Sequence, residues 1–201
     1  DTATRMLGVA TVPFDSDNQQ LLRELGRAFE VEGSFTRTPC AVHFGEPGKT
    51  VPDPYFGGTG PDRTGCTRCG ACMVGCRVGA KNTLLKNYLL FAERLGVESR
   101  PDTQVADVRP LGATDGSGGY VVATHYPGAW LRPRRATLSA RGVVFAAGAL
   151  GTNRLLAECR QRGSLPAISP RLGALVRTNS ESVLAVTLPR GTRMEPGRDV
   201  A

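Results

Sequence analysis

The stretch "GVVFAAGALGTNRLLAECRQRG", residues 142 to 163, changes its hydrophobic period halfway along. Val143 to Ala146 is an unbroken apolar run, the pattern of a strand buried on both faces. "AAGALG" is made of small residues and reads as a tight turn. From Thr152 to Arg162 the apolar residues recur at helical spacing. A buried strand, a glycine turn and a helix start together describe a ligand edge. At Ala147 and Gly148 no bulky side chain keeps a ligand from the backbone, and the helix N-terminus near Thr152 offers free N–H groups. Every parallel α/β sheet has such turns, so the stretch points to the α/β class before it points to any ligand.

Upstream lies a β-rich block, residues 97 to 140. Val97 to Arg100 and Gln104 to Arg109 read as short strands around a Pro-Asp turn. "TDGSGG" is a hairpin signal, and Tyr120 to Tyr126 alternates as a strand does. Trp130 to Ala140 reads as a further strand, interrupted by Pro133. Two amphipathic helices precede the block. Asn18 to Glu32 carries Leu21, Leu22, Leu25, Ala28 and Phe29 on one face, with Asp15 or Asp17 as its cap. Lys81 to Leu95 carries Leu84, Leu85, Tyr88, Leu89, Ala92 and Leu95, and Gly96 ends it. Between them, Gly33 to Asp62 is rich in Gly and Pro and has no period, so it reads as a long loop or a set of turns. Downstream, Val183 to Leu188 reads as a strand.

The bulk numbers exclude several classes. The chain has 201 residues, enough to bury a core without metals or disulfides. Its net charge is +7, but the basic residues are scattered. The one dense patch, Arg132, Arg134 and Arg135, sits between strands, aromatics are few, and no nucleic-acid partner is expected. No apolar run approaches the length of a membrane span. No signal peptide precedes "DTATRMLGVA", and with six cysteines this favours reduced thiols or metal ligands and a cytoplasmic location. The chain starts on Asp rather than Met, as a processed or truncated piece does.

Four of the cysteines, Cys66, Cys69, Cys72 and Cys76, fall within "TGCTRCGACMVGCRVGAKNT". C-x-x-C-x-x-C-x-x-x-C is the spacing of a [4Fe–4S] site, and Gly70 and Gly75 free backbone N–H groups for the sulfurs. Two features depart from a bacterial ferredoxin: Arg77 stands where Pro follows the last Cys, and there is no second run. The fourth ligand is then Cys76 itself, or Cys40 or Cys159 folding back. The other reading is a tight loop of small residues that binds no metal. Zinc fits less well, because structural zinc usually pairs two separated knuckles.

Taken in order, "VPDPYFGGTGPDRTGCTRCGACMVGCRVGAKNTLLKNYLLFAERLGV", "DTQVADVRPL", "ARGVVFAAGALGTNRLL" and "LGALVRTNSES" resemble the glucose–methanol–choline (GMC) oxidoreductases, in their bacterial cholesterol-oxidase-like branch. The resemblance covers roughly residues 5 to 188. It implies FAD in a partial Rossmann-like domain of mixed α and β structure. Residues 1–173 would belong to the FAD-binding domain and residues 174–201 would begin the substrate domain. It points to Val105 at the adenine, to Ala147 and Gly148 at the flavin turn, and to Asn179 in "RTNSES" facing flavin or substrate. Asn82 or Thr83 either caps the helix that follows or touches the flavin.

The dinucleotide fingerprint G-x-G-x-x-G is absent: "YFGGTGPDRTG" has glycines but follows Pro54 and no strand. The catalytic base of the family would lie beyond residue 201, and His43 and His125 read as structural. The resemblance therefore implies a chain with no catalytic residue of its own, inactive alone. It comes from an enzyme that moves hydride from the CH–OH of a bulky, sterol-like alcohol to FAD and then to oxygen or a redox carrier. The alternative from the residues is an iron–sulfur electron-transfer module.

Overall fold

The computed structural model describes residues 1–132, 134–179 and 190–191. The described chain divides into two compact units, the first running from Asp1 to Glu98 and the second starting at Ser99. The expected strand over Val183 to Leu188 lies outside the described residues.

The first unit is held by small elements and a polar centre. A short helix, α1 (Thr2–Met6), leads to β1 (Ala10–Thr11). Then comes α2 (Asp17–Ala28), whose cap is Ser16, with its hydroxyl accepting from the Gln19 N–H at 3.4 Å. Neither Asp15 nor Asp17 caps it: the Asp15 carboxylate is taken by Arg23 and Arg37, at 3.2 and 3.0 Å. The helix stops before Glu32 because the chain turns at Glu30, which has a positive φ of 58°. β2 (Pro39–Cys40) pairs antiparallel with β1, and β3 (Thr50–Val51) with β4 (Arg63–Thr64).

The single helix expected over Lys81 to Leu95 is divided. A 3-10 turn spans Leu84–Lys86 and α3 spans Tyr88–Arg94. Asn87 separates them at φ −143° and ψ −99°, and its buried side chain accepts from the Tyr88 N–H at 2.6 Å. Neither Asn82 nor Thr83 caps α3. Its Leu stripe stays exposed, and α3 packs instead through Phe91, edge-on to Phe56 at 5.0 Å.

The second unit is built on one meander. β5 (Gln104–Pro110), β6 (Tyr120–His125) and β7 (Arg135–Ala140) form an antiparallel sheet in the order β5-β6-β7. Its register slips between Val105 and Asp107, which leaves Ala106 without a partner across the ladder. Val97 to Arg100 forms no strand. α4 (Gly148–Arg162) lies on this sheet. Val108, Val122 and Cys159 make the core, with Val105, Leu138, Phe145 and Leu155 packed around them.

The mixed α/β reading holds, but the sheets are small and antiparallel. Among the described residues no parallel sheet forms. Val143 to Ala146 is correspondingly not a buried strand: it pairs with no described strand, and Val144 is 90 % exposed. A run apolar on both faces is buried only between neighbouring strands, and none of those stands beside it.

Candidate functional site

The expected ligand edge becomes one wall of a cleft in the second unit. The cleft has a volume of about 780 Å³. β5 supplies Val105 and Val108, the extended segment supplies Val143 to Ala147, and α4 supplies Gly151, Arg154, Leu155, Glu158 and Arg162. The fold thus brings Val105 and Ala147 together. Gly148 follows as the first residue of α4 and is exposed without lining the cleft. Asn179 is exposed and does not line it either.

At the start of α4 no side chain caps from Ala147, and Thr152 folds back instead, its hydroxyl accepting from the Ala147 N–H at 3.0 Å. That fixes the turn while the first N–H groups of α4 keep no intrahelical partner. The cleft wall also carries a charged ladder. Glu158 accepts from Arg154 at 3.0 Å and from Arg162 at 2.9 Å. The bond from Arg154, then that from Arg162, holds its carboxyl below the usual range. Arg162 also donates to the Ala106 carbonyl at 2.6 Å, the group left free by the register slip. His125 lines the same cleft. The sequence reading passed over Arg154, Glu158 and Arg162. Their spacing of four on one helix was the available signal.

The cysteine loop belongs to the first unit. Both of its ends are pinned to residues 41–49: Cys66 N–H donates to His43 O, His43 N–H to Ala80 O, and Asn82 N–H to Ala41 O. Cys66, Cys69, Cys72 and Cys76 line one small cavity of about 20 Å³. Cys40 and Cys159 do not. Cys159 is fully buried on α4, where burial raises its thiol pKa. All six cysteines are free thiols. Burial pushes the Cys72 thiol up, and the neighbouring Cys66 and Cys76 add to the rise. At Cys76 burial works the same way but is outweighed by the backbone N–H groups of Lys81, Ala80, Gly79 and Val78, so its pKa is lowered. Among the described residues no three His, Cys, Asp or Glu side chains converge on a single metal ion.

A polar centre that the sequence did not announce lies beside this loop. Arg63 is 1 % exposed. Its guanidinium donates to Asn82 Oδ1 at 2.6 Å and to the Lys86 carbonyl at 3.0 Å, and it stands over the Tyr55 ring at 5.5 Å. Asp53 organises the adjacent turn by accepting from the N–H groups of Tyr55, Phe56, Gly58 and Gly60. His43 Nδ1 meets the Tyr55 hydroxyl at 3.3 Å, and burial, then the Arg63 charge, lowers its pKa.

Comparison with curated proteins finds close relatives over nearly the whole chain. It is 48% identical over 189 residues to a "Cholesterol oxidase" of Acinetobacter baumannii, a match over 92% of this chain and 34% of the relative. It is also 48% identical over 192 residues to a "Cholesterol oxidase" of Mycobacterium tuberculosis, strain H37Rv, over 92% of this chain and 32% of that protein. The chain therefore spans about a third of the length of the relatives it matches. No family model matches it, and no solved structure does.

Proposed function

We propose that this chain, a homologue of the cholesterol oxidases, is the central part of an FAD-dependent oxidoreductase acting on the CH–OH group of a sterol-like or other bulky alcohol. The observation that carries the reading is the identity of 48% along 92% of the chain. It is too high and too continuous to arise from a shared fold alone.

The cleft of the second unit fits part of such a cofactor. Its wall of small residues at Ala146, Ala147 and Gly151 leaves the backbone open, and Val105 faces it from the sheet. In this reading Val105 lies against the adenine, and Ala147 and Gly148 border the flavin nucleotide at the start of α4. Asn179 would meet flavin or substrate. Residues 1–173 serve the FAD domain and residues 174–201 open the substrate domain. FAD, when bound, supplies the hydride acceptor. No catalytic residue is assigned to this chain. His125 lies on the cleft wall but is placed here as a wall residue, and the proton acceptor comes from sequence outside residues 1–201.

The test is flavin content of the polypeptide that carries this segment together with the remaining length of its relatives. Ala147→Phe fills the cleft wall, and bound FAD should fall by about tenfold, the loss of about 1.4 kcal/mol of binding. Steady oxidation of cholesterol by the unsubstituted protein, read as ketone product, is the accompanying expectation. Full FAD occupancy in Ala147→Phe would overturn the placement, and a flavin-free protein would overturn the assignment.

A further inference from the structure

We propose that Cys66, Cys69, Cys72 and Cys76 bind one [4Fe–4S] cluster, with Cys76 as its local fourth ligand. The sequence left the fourth ligand open among three cysteines. The fold narrows it: Cys76 lines the same cavity as the other three, Cys40 sits in β2 outside it, and Cys159 is buried in the core of the second unit.

The loop gives a cysteine sulfur a backbone donor. The Arg68 N–H donates to Cys66 Sγ at 3.4 Å, the bond from residue i+2 to a cysteine at i that shapes a metal-binding knuckle. Arg68 holds a positive φ of 59° to make it, and Gly70 follows Cys69 at φ 68°. Such N–H···S contacts are the means by which a protein stabilises cluster thiolates and sets their potential.

Charge agrees with this occupant. Four thiolates on a cubane give a net anion, and the loop gathers cations at its margin. The Lys81 ammonium donates to the Cys72 carbonyl at 2.9 Å, the Lys86 ammonium bonds the Gly79 carbonyl, and Arg68 rests over the Phe14 ring at 4.3 Å. A single tetrahedral ion is the poorer fit, because it needs its thiolates drawn together and no three of them converge. A cubane places each thiolate on a separate iron. The cavity is small, and its open side is the exposed limb carrying Cys69, Cys72 and Met73. The loop is anchored at Cys66 on one side and at Ala80 and Asn82 on the other.

The proposal is independent of the flavin reading, and its test counts iron in protein stripped of flavin. Anaerobically purified protein, reconstituted with ferrous iron and sulfide, should carry about four iron and four sulfide per chain. It should show a broad visible absorption that bleaches with dithionite and a one-electron EPR signal in the reduced state. Cys66→Ser, Cys69→Ser, Cys72→Ser and Cys76→Ser should each lose most of the iron with an unchanged far-ultraviolet circular dichroism spectrum. Cys40→Ser should keep it. Absence of iron and sulfide after reconstitution overturns the proposal. So does one bound zinc per chain, or undiminished iron in Cys76→Ser, which would move the fourth ligand elsewhere.

Discussion

Arg63 has no carboxylate within salt-bridge reach among the described contacts, yet it is almost fully buried. Its desolvation is offset by neutral acceptors and one aromatic face, so each acceptor counts. Arg63→Ala leaves Asn82 Oδ1 and the Lys86 carbonyl unmet in a buried site. The expected cost is about 3 kcal/mol, read as a lower urea midpoint with an unchanged slope. His43 gives a pH test of the same centre. Its folded pKa lies below the ordinary value of 6.5, because burial and the Arg63 charge disfavour the imidazolium. The unfolded chain therefore binds the proton first. Stability is full above pH 6.5 and falls as pH drops from there through the lowered folded value. His43→Gln should flatten that slope. An equally steep decline in the variant would assign it to other groups.

The elements of this chain are set at their ends. α4 closes at Gly163, whose φ of 69° lets its N–H reach the Arg160 carbonyl while the Ser164 N–H reaches that of Cys159. A Cβ there would meet nothing within 4 Å, so Gly163→Ala isolates the conformational penalty. The expected loss is about 1 kcal/mol in thermal or denaturant unfolding. Ser16→Ala removes the α2 cap and should cost a similar amount, about 1 kcal/mol. Helical period alone joined Lys81 to Leu95 into one helix. It could not register that Asn87, buried beside Arg63's partners, would leave helical geometry and start α3 afresh.

Across the molecule, apolar side chains stand in the open. Phe29 is 74 % exposed, Leu85 71 % and Leu150 81 %. The same face of α2 exposes Leu21, Leu22 and Leu25. Surfaces of this kind usually meet other protein. The 201-residue chain produced alone should bind a hydrophobic dye strongly, and the polypeptide with the remaining length of its relatives should bind it several-fold less. With FAD added, the 201-residue chain should oxidise no alcohol. Turnover by it would place catalytic groups inside these residues and overturn the assignment made above. Among the described residues no helix is long and apolar enough to cross a membrane.

The sequence by itself determined the order of motifs, and with it the homology to the cholesterol oxidases. It also determined β5, β6 and the body of α4, because alternation and helical period are local properties of the chain; α4 begins at Gly148, so its first turn takes up Gly148 to Gly151 of the stretch expected to be a turn. The tertiary structure decided what depends on contacts distant in sequence. It put Val105 and Ala147 on one cleft, gathered Cys66, Cys69, Cys72 and Cys76 around one small cavity, and bonded the buried Arg63 to Asn82. It also left Val143 to Ala146 unpaired. An apolar run states only that its side chains favour burial; whether they are buried depends on which strands stand beside it.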